Sequence, residues 1–440
     1  MPYPIIDIEV TQPLPTIQLS ENDRGIALIV RRKDLAIAFL MQALPANSTL
    51  SAAEIREWIT KEVGNKLLQE SIRDQLTQPT ANMADFPSLT VAVCTKDRPD
   101  NLARCLQSLI KLQQPQGVAE FNSHSSSVAI LSASTIQKTP HILIQHHQRP
   151  TRRFEILVID NASTDQRTQE LVAALPSVRY VQEPKPGLNF ARNRALSEAT
   201  GEVLAFVDDD VVVDRQWLNG LIEAWSENPD AAAFTGQVLP YALETEAQIL
   251  CEQRGGFRKG FEKIRFGQSL PGNTLYPCGA GVFGVGCNMA FRRQIVLDLG
   301  GFDEALDTGP SLPGGGDHDM FYRVIRAGYT LVYEPKYLVF HEHRRDYLSL
   351  RRQYSRSWGL GFTSYVSKCY LSDPQQREKL LRLVWWWIKY ELRQLLESLL
   401  GKNPLSPDIF LAEFFGGIVG LLGGYPRSCK RIEQIRRKFV

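Results

Sequence analysis

Three consecutive carboxylates, Asp208-Asp209-Asp210, interrupt an apolar run that starts at Leu204-Ala205-Phe206-Val207 and resumes at Val211-Val212-Val213. Runs of this kind form strands buried on both faces of an α/β sheet. Open α/β sheets place their ligands at the carboxyl ends of such strands. Adjacent carboxylates repel one another unless a cation or a set of donors neutralises them. Oxygen ligands at this density suit Mg²⁺ or Mn²⁺, ions that commonly hold a diphosphate. The competing reading is an acidic turn on the surface, since charged clusters are usually just solvated.

Four more stretches carry residues fit for chemistry. Val93-Cys94 runs into Thr95-Lys96-Asp97-Arg98-Pro99, and Val158-Ile159 runs into Asp160-Asn161-Ala162-Ser163. A carboxylate at a strand tip can accept hydrogen bonds from a ribose or a base edge, although Asp and Asn also cap helices. Glu183-Pro184-Lys185-Pro186-Gly187 leads into Leu188-Asn189-Phe190-Ala191-Arg192-Asn193. Lys185 and Arg192 then stand near a helix start, where an anion is welcome. Gly314-Gly315-Gly316 precedes Asp317-His318-Asp319. The glycines allow close backbone approach, and a carboxylate there can take a proton from an attacking hydroxyl or simply cap a helix. Finally, His341-Glu342-His343-Arg344-Arg345 follows Leu338-Val339-Phe340. A histidine at that place can complete the metal shell begun by the triplet, or serve structure alone.

The elements that must carry these residues alternate. Apolar runs at 89–95, 155–159 and 204–207 read as strands, and 101–112 and 189–199 as helices. Strand, helix, strand, helix, strand is the doubly wound α/β pattern. Residues 1–85 form a small accessory α+β unit. In it, 25–30 and 35–40 make a hairpin, and Ser51-Ala52-Ala53-Glu54 is a capping box that opens a helix towards Leu76. Residues 113–153, rich in Ser, Gln and His, read as a disordered insertion. From 346 to 440 the chain reads as mainly helical.

The 440 residues, 43% hydrophobic and 22% charged, are those of a globular chain of two or three domains. A net charge of +2 gives no sign of a nucleic-acid partner. The seven cysteines are dispersed, without a C-x-x-C pair, which fits a reducing, cytoplasmic compartment. The N-terminus lacks a secretory pattern, and no apolar run reaches the ~18 residues of a membrane span. In the tail, Trp385-Trp386-Trp387 lies between Arg382 and Lys389. An apolar stretch at 409–422, broken only by Glu413, precedes Arg427, Lys430, Arg431, Arg436, Arg437 and Lys438. Tryptophan and basic residues around short apolar stretches suit a helix lying on an anionic leaflet, which would make the protein peripheral on the inner face of the cell membrane. Ordinary packing of a tryptophan core is the alternative.

In order along the chain stand T-x-D-R-P, V-I-D-N-A-S, P-G-L-N-x-A-R-N, F-V-D-D-D-V, G-G-G-D-x-D-x-x-x-R-x-x-x-A-G-Y and H-x-H-R. This series, over residues 88–345, resembles the inverting family-2 glycosyltransferases of the GT-A fold. The resemblance implies a GT-A type doubly wound mixed sheet flanked by helices. It implies transfer of a sugar from a nucleotide-diphosphate sugar to a glycan or lipid-linked acceptor hydroxyl, in polysaccharide, glycolipid or other envelope glycan synthesis, with Mn²⁺ or Mg²⁺. It further implies that Thr95, Asp97 and Asp160 line the nucleotide pocket, joined by Lys185 and Arg192. Asp208 and Asp209 would meet the nucleotide sugar, Asp208, Asp210 and His341 the metal, and Asp317 would be the base. Gly286, Asn288 and Ala290 resemble the stretch that borders the donor sugar. The family commonly has Glu-Asp where this chain has Gly316-Asp317, and that departure makes Asp319 a competing base. A nucleotidyltransferase would favour a glycine-rich loop after the first strand, absent from 95–99. A non-catalytic nucleotide-sugar-binding module is the remaining alternative.

Overall fold

The computed structural model describes residues 2–76, 86–112 and 154–439. The expected disordered insertion at 113–153 lies outside the described residues.

The N-terminal unit contains β1 (Ile5–Glu9), β2 (Ile17–Gln18), β3 (Gly25–Arg32), β4 (Leu35–Ala43), β5 (Thr49–Leu50) and α1 (Ala52–Leu76). β3 and β4 are antiparallel, and β1 adds to β3 in parallel. Lys33 and Asp34 between them have φ of +49° and +68°, the sign a two-residue hairpin turn needs. The capping box opens α1: Ser51 N donates to Glu54 Oε2 (2.8 Å) and Glu54 N to Ser51 Oγ (3.3 Å). β3 reads as a continuous apolar run because both its faces are covered. Ile26, Leu28 and Val30 pack on Ile55 and Ile59 of α1, while Ala27 and Ile29 pack on Leu239, Leu243 and Leu338 of the larger domain. Arg31 crosses that junction to Asp214 (2.6 Å), both almost fully buried.

The larger domain runs β6 (Leu89–Thr95), α2 (Pro99–Leu112), β7 (Phe154–Asn161), α3 (Arg167–Ala173), β8 (Val178–Glu183), α4 (Leu188–Glu198) and β9 (Val203–Asp208). It continues with β10 (Val211–Val213), α5 (Trp217–Glu227), β11 (Ala231–Pro240), α6 (Glu246–Gln253), β12 (Ile264–Phe266) and β13 (Asn288–Arg292). It closes with α7 (Arg293–Asp298), α8 (Gly316–Arg326) and β14 (Thr330–His341). Nine strands form one sheet in the order β10-β14-β11-β13-β9-β6-β7-β8, with β12 on β14. β9, β6, β7 and β8 are parallel, and β13 is antiparallel to both β9 and β11. This is the GT-A type mixed sheet that the resemblance implies. Alternate side chains enter opposite layers: Leu204 and Phe206 of β9 join one core, and Val203, Ala205 and Val207 the other. That two-sided burial is why these strands read as unbroken apolar runs.

Asn288 on β13 is wholly buried. Its amide donates to the carbonyls of Gln237 (3.2 Å) and Tyr337 (2.7 Å), and its oxygen accepts from Trp217 Nε1 (3.0 Å). The tail comprises α9 (Tyr347–Gln353), a π-helical segment (Tyr354–Gly361), α10 (Phe362–Ser372), α11 (Arg377–Leu399), α12 (Pro407–Leu421) and α13 (Gly424–Lys438). The tryptophan cluster divides between the two expectations: Trp387 is core, stacked on Phe414 at 5.8 Å, whereas Trp385 and Trp386 are exposed. Among the described residues no single helix is long and apolar enough to cross a membrane.

Arg254 joins the tail to α6, 3.0 Å from Glu413 and 3.8 Å from Glu391. Burial, and Glu413 beside it, push the Glu391 carboxyl up to about 8 against the pull of Arg254. An acid with a raised folded pKa keeps its proton in the fold. The stability it contributes is full below the ordinary carboxylate value and is lost as pH rises towards the folded one. The melting temperature should therefore fall between about pH 5 and 8, and Glu391→Gln should flatten that slope; an unchanged slope would contradict the assignment. Asn288→Ala should cost about 2–4 kcal/mol in urea unfolding, because it orphans an indole donor and opens a cavity. A loss below about 1 kcal/mol would show that the network contributes little.

Candidate active site

Strand pairing assembles the site. At the carboxyl edge Thr95 of β6 lies opposite Asp160 of β7, and Cys94 lies opposite Asp208 of β9. Just beyond, Val211 of β10 pairs with His341 of β14. Register alone thus puts His341 beside the acid triplet, and Glu342 N donates to the Asp210 carbonyl (2.9 Å). His341 Nε2 stands 3.4 Å from Asp210 Oδ1.

The three acids are treated differently. Asp209 is buried and accepts from Thr95 Oγ1 (2.7 Å), and Arg98 Nη1 lies 3.1 Å from Asp209 and 3.2 Å from Asp210. Burial, then Asp210 next to it, push the half-buried Asp208 well above the usual carboxylate range, although Arg192 pulls the other way. Burial also opposes ionisation of Asp210, but His341 and Arg98 outweigh it and hold that carboxyl below its ordinary value. Burial pushes the His341 imidazole down to about 4, so it is neutral near pH 7. Its Nδ1 faces His343 Nδ1 (3.4 Å), and His343 Nε2 faces Glu252 Oε1 (2.7 Å), which fixes the ring.

Asp210 and His341 are the two candidate metal ligands that the structure brings within contact of each other. Excess negative charge is held at one point next to a neutral imidazole. Among the described residues no group of three or more His, Cys, Asp or Glu is placed to hold a metal ion. Mg²⁺-type ions are commonly held by one or two carboxylates, with substrate phosphates and water filling the rest of the shell.

The opposite wall is built by α4 and α8. Asn161 clamps the turn before α4, donating to the Lys185 carbonyl (2.7 Å) and accepting from Gly187 N (2.9 Å), where φ is +143°. Arg192, buried on α4, reaches Asn189 (3.1 Å) and Asp307 (3.2 Å). The Asp307 carboxylate also accepts from Gly314 N and Gly316 N (2.9 Å for the latter). A Cβ on Gly316 would lie 2.3 Å from both Asp307 and Asn189. The space in which the family's first acid would begin is thus filled by Asp307. Asp317, partly exposed in the first turn of α8, accepts from Gly286 N (2.8 Å) and from its neighbour His318 N (2.9 Å). Burial raises its carboxyl, but His318, Arg192 and these two amides hold it below its ordinary value. Arg192 acts electrostatically on both Asp208 and Asp317, tying the two walls together.

The other nominated residues fall as follows. Asp160 accepts from Tyr180 Oη (2.7 Å) and Ser163, and Asp97, at φ +55°, accepts from Thr164 N (2.7 Å), so both shape the loops of the cleft. The half-buried Lys185 ammonium lies 5.8 Å from the Phe190 ring centroid. Two assignments are corrected. Asn288 does not border a sugar, because it is wholly buried and both its amide hydrogens and its oxygen are engaged inside the core. Asp319 is not a base: it is wholly buried, with Arg323 at 2.8 Å and Lys368 on its other oxygen. Sequence reasoning gave no role to Arg98, Asp307, His343, Glu252 or Lys259. Arg98 lies inside a quoted motif. Asp307 and Glu252 carry no local signal, since only tertiary contacts recruit them. Desolvation pushes the Lys259 ammonium below its ordinary value, while Asp317 pulls it the other way.

The model of the family described as "Glycosyl transferase family 2" matches residues 128–300, a span that includes β9 and the triplet. The chain is 26% identical over 159 residues to a glucosyl-dolichyl phosphate glucuronosyltransferase of Haloferax volcanii, covering 34% of this chain and 45% of that one. It is 28% identical over 216 residues to a pre-mycofactocin glycosyltransferase of Mycobacterium tuberculosis, covering 47% and 42%. The chain therefore spans under half the length of these relatives. Among solved structures, a mannosyltransferase from Pyrobaculum calidifontis in complex with GDP-Man and Mn²⁺ matches with a TM-score of 0.41 and 16% identity, over 85% of this chain and 84% of that one. The ordered motif series and the matched family model together make residues 128–300 of this chain similar to the family-2 glycosyltransferases.

Proposed function

We propose that this protein moves a sugar from a nucleotide-diphosphate donor to an acceptor hydroxyl, with inversion at the anomeric carbon. One observation carries the reading: Asp317, in the first turn of α8, accepts from Gly286 N and His318 N, and His318, Arg192 and these amides hold its carboxyl below its ordinary value against burial. A single carboxylate so placed suits one in-line displacement. The acceptor oxygen bonds to the anomeric carbon as its proton passes to Asp317, and the carbon–oxygen bond to the diphosphate breaks on the opposite face. Asp208, Asp210 and His341 would hold a Mn²⁺ or Mg²⁺ ion that, when bound, neutralises charge on the departing diphosphate. Thr95, Asp97 and Asp160 edge the pocket for the nucleoside. The name of one relative, a glucosyl-dolichyl phosphate glucuronosyltransferase, favours a lipid-linked acceptor.

Asp317→Asn should keep donor binding and lose about 10²–10⁴-fold in transfer rate, measured as product formed per folded molecule. Full turnover in that variant would overturn the assignment. Asp319→Asn should instead lower the melting temperature, by leaving Arg323 and Lys368 without their buried partner, while the folded fraction keeps its rate within a few-fold. Loss of rate at unchanged stability would restore Asp319 as the base.

A further inference from the structure

The C-terminal helices present an apolar surface that nothing in the chain covers. On α11 the exposed Leu381, Trp385, Leu392, Leu396 and Leu399 recur at spacings of three, four and seven. They share one face, opposite the buried Leu380, Leu383, Trp387 and Glu391. On α12 the exposed Leu411, Phe415 and Val419 repeat the pattern, and Leu422 follows just past its end. The two helices pack on each other through Trp387 and Phe414. An apolar groove of about 300 Å³ opens beside them, lined by Tyr370, Leu371, Leu381, Val384 and Leu421.

The chemistry around these stripes selects the occupant. Lys389 lies 5.0 Å from the Trp385 ring centroid, and Trp386 stacks on Tyr390 at 5.4 Å. Arg427 Nη2 donates to the Val419 carbonyl (3.1 Å), which places a cation at the edge of the α12 stripe. α13 carries six basic side chains against one acidic. Exposed tryptophan and leucine beside Lys and Arg is the composition of a surface that rests among lipid headgroups. A protein–protein core would be depleted in lysine. Spanning is disfavoured by the same helices: α12 and α13 reach membrane length only across a 65° bend, and the inner face of α12 is tied to Arg254 through Glu413.

We propose that the exposed faces of α11 and α12, with the groove beside them, seat this protein on an anionic lipid surface. The seat is mechanically close to the site. On α10, Lys368 pairs with Asp319 of α8, and the Gly361 carbonyl just before α10 would stand 2.9 Å from a Cβ on Gly315. The helix that presents Asp317 is therefore packed directly on the helical layer that would meet the lipid.

Flotation of the full chain with vesicles of phosphatidylcholine alone, or with about 30% phosphatidylglycerol, tests this. The wild type should float with the anionic vesicles and remain below with the neutral ones. The triple variant Trp385→Ser/Trp386→Ser/Phe415→Ser, whose melting temperature should be unchanged, should lose at least about tenfold of the bound fraction. Lys389→Glu with Arg427→Glu should lose about fivefold in partitioning for each cation removed, an effect that fades at high salt. Failure of the wild type to float, equal flotation of the triple variant, or a dimer in solution that the triple variant dissolves would each overturn the proposal.

Discussion

Negative charge drawn to one end of a sheet is the constraint around which this molecule is built. Asp208, Asp209, Asp210, Asp307 and Asp317 converge there, and the guanidinium groups of Arg98 and Arg192 stand among them. So many acids at close quarters cannot all ionise at equal ease. The surroundings sort them. Asp209 is consumed by Thr95 and Arg98, and Asp307 by Arg192 and the glycine amides. Asp210 and Asp317 are held below the ordinary carboxylate value, while burial pushes Asp208 above it. Under the proposed function, that sorting would separate a cation-holding wall from a proton-accepting one.

The scaffold serves this arrangement through register and close approach. In-register parallel strands set Thr95 beside Asp160 and Cys94 beside Asp208, and the β10–β14 pair brings in His341 from far along the chain. Glycines work where backbones must nearly touch. Gly316 leaves room for Asp307, and Gly315 lets the tail close on the start of α8. The N-terminal unit is welded on by apolar contacts and by Arg31–Asp214, so it braces the sheet on the side of β11 and β14.

Much of this was legible in the sequence. The apolar runs of β6, β7 and β9 announced buried strands, and the polar residues at their ends announced the cleft. The hairpin turn at Lys33-Asp34 and the box at Ser51 and Glu54 were written in local chemistry. What escaped was decided at long range. α3 and β8 are too short to show a clear period. Asn288 became a site candidate only through the resemblance of residues 286–290 to the stretch that borders the donor sugar, but its own side chain points into the Trp217–Gln237–Tyr337 network. Asp319 shares a helix turn with Asp317, yet sits on the face that Arg323 and Lys368 close. Asp307 stands ten residues before Asp317, and only folding of the glycine loop brings its carboxylate to the Gly316 amide.

The charge excess at the sheet edge is tested most directly by thermal shift with a panel of nucleoside diphosphates, with and without Mn²⁺, on the wild type and Asp210→Ala. At least one diphosphate should raise the melting temperature of the wild type only when Mn²⁺ is present, and Asp210→Ala should abolish that increment while melting cooperatively on its own. A diphosphate that stabilises equally without metal, or an undiminished Mn²⁺-dependent increment in Asp210→Ala, would contradict a cation-binding role for the triplet.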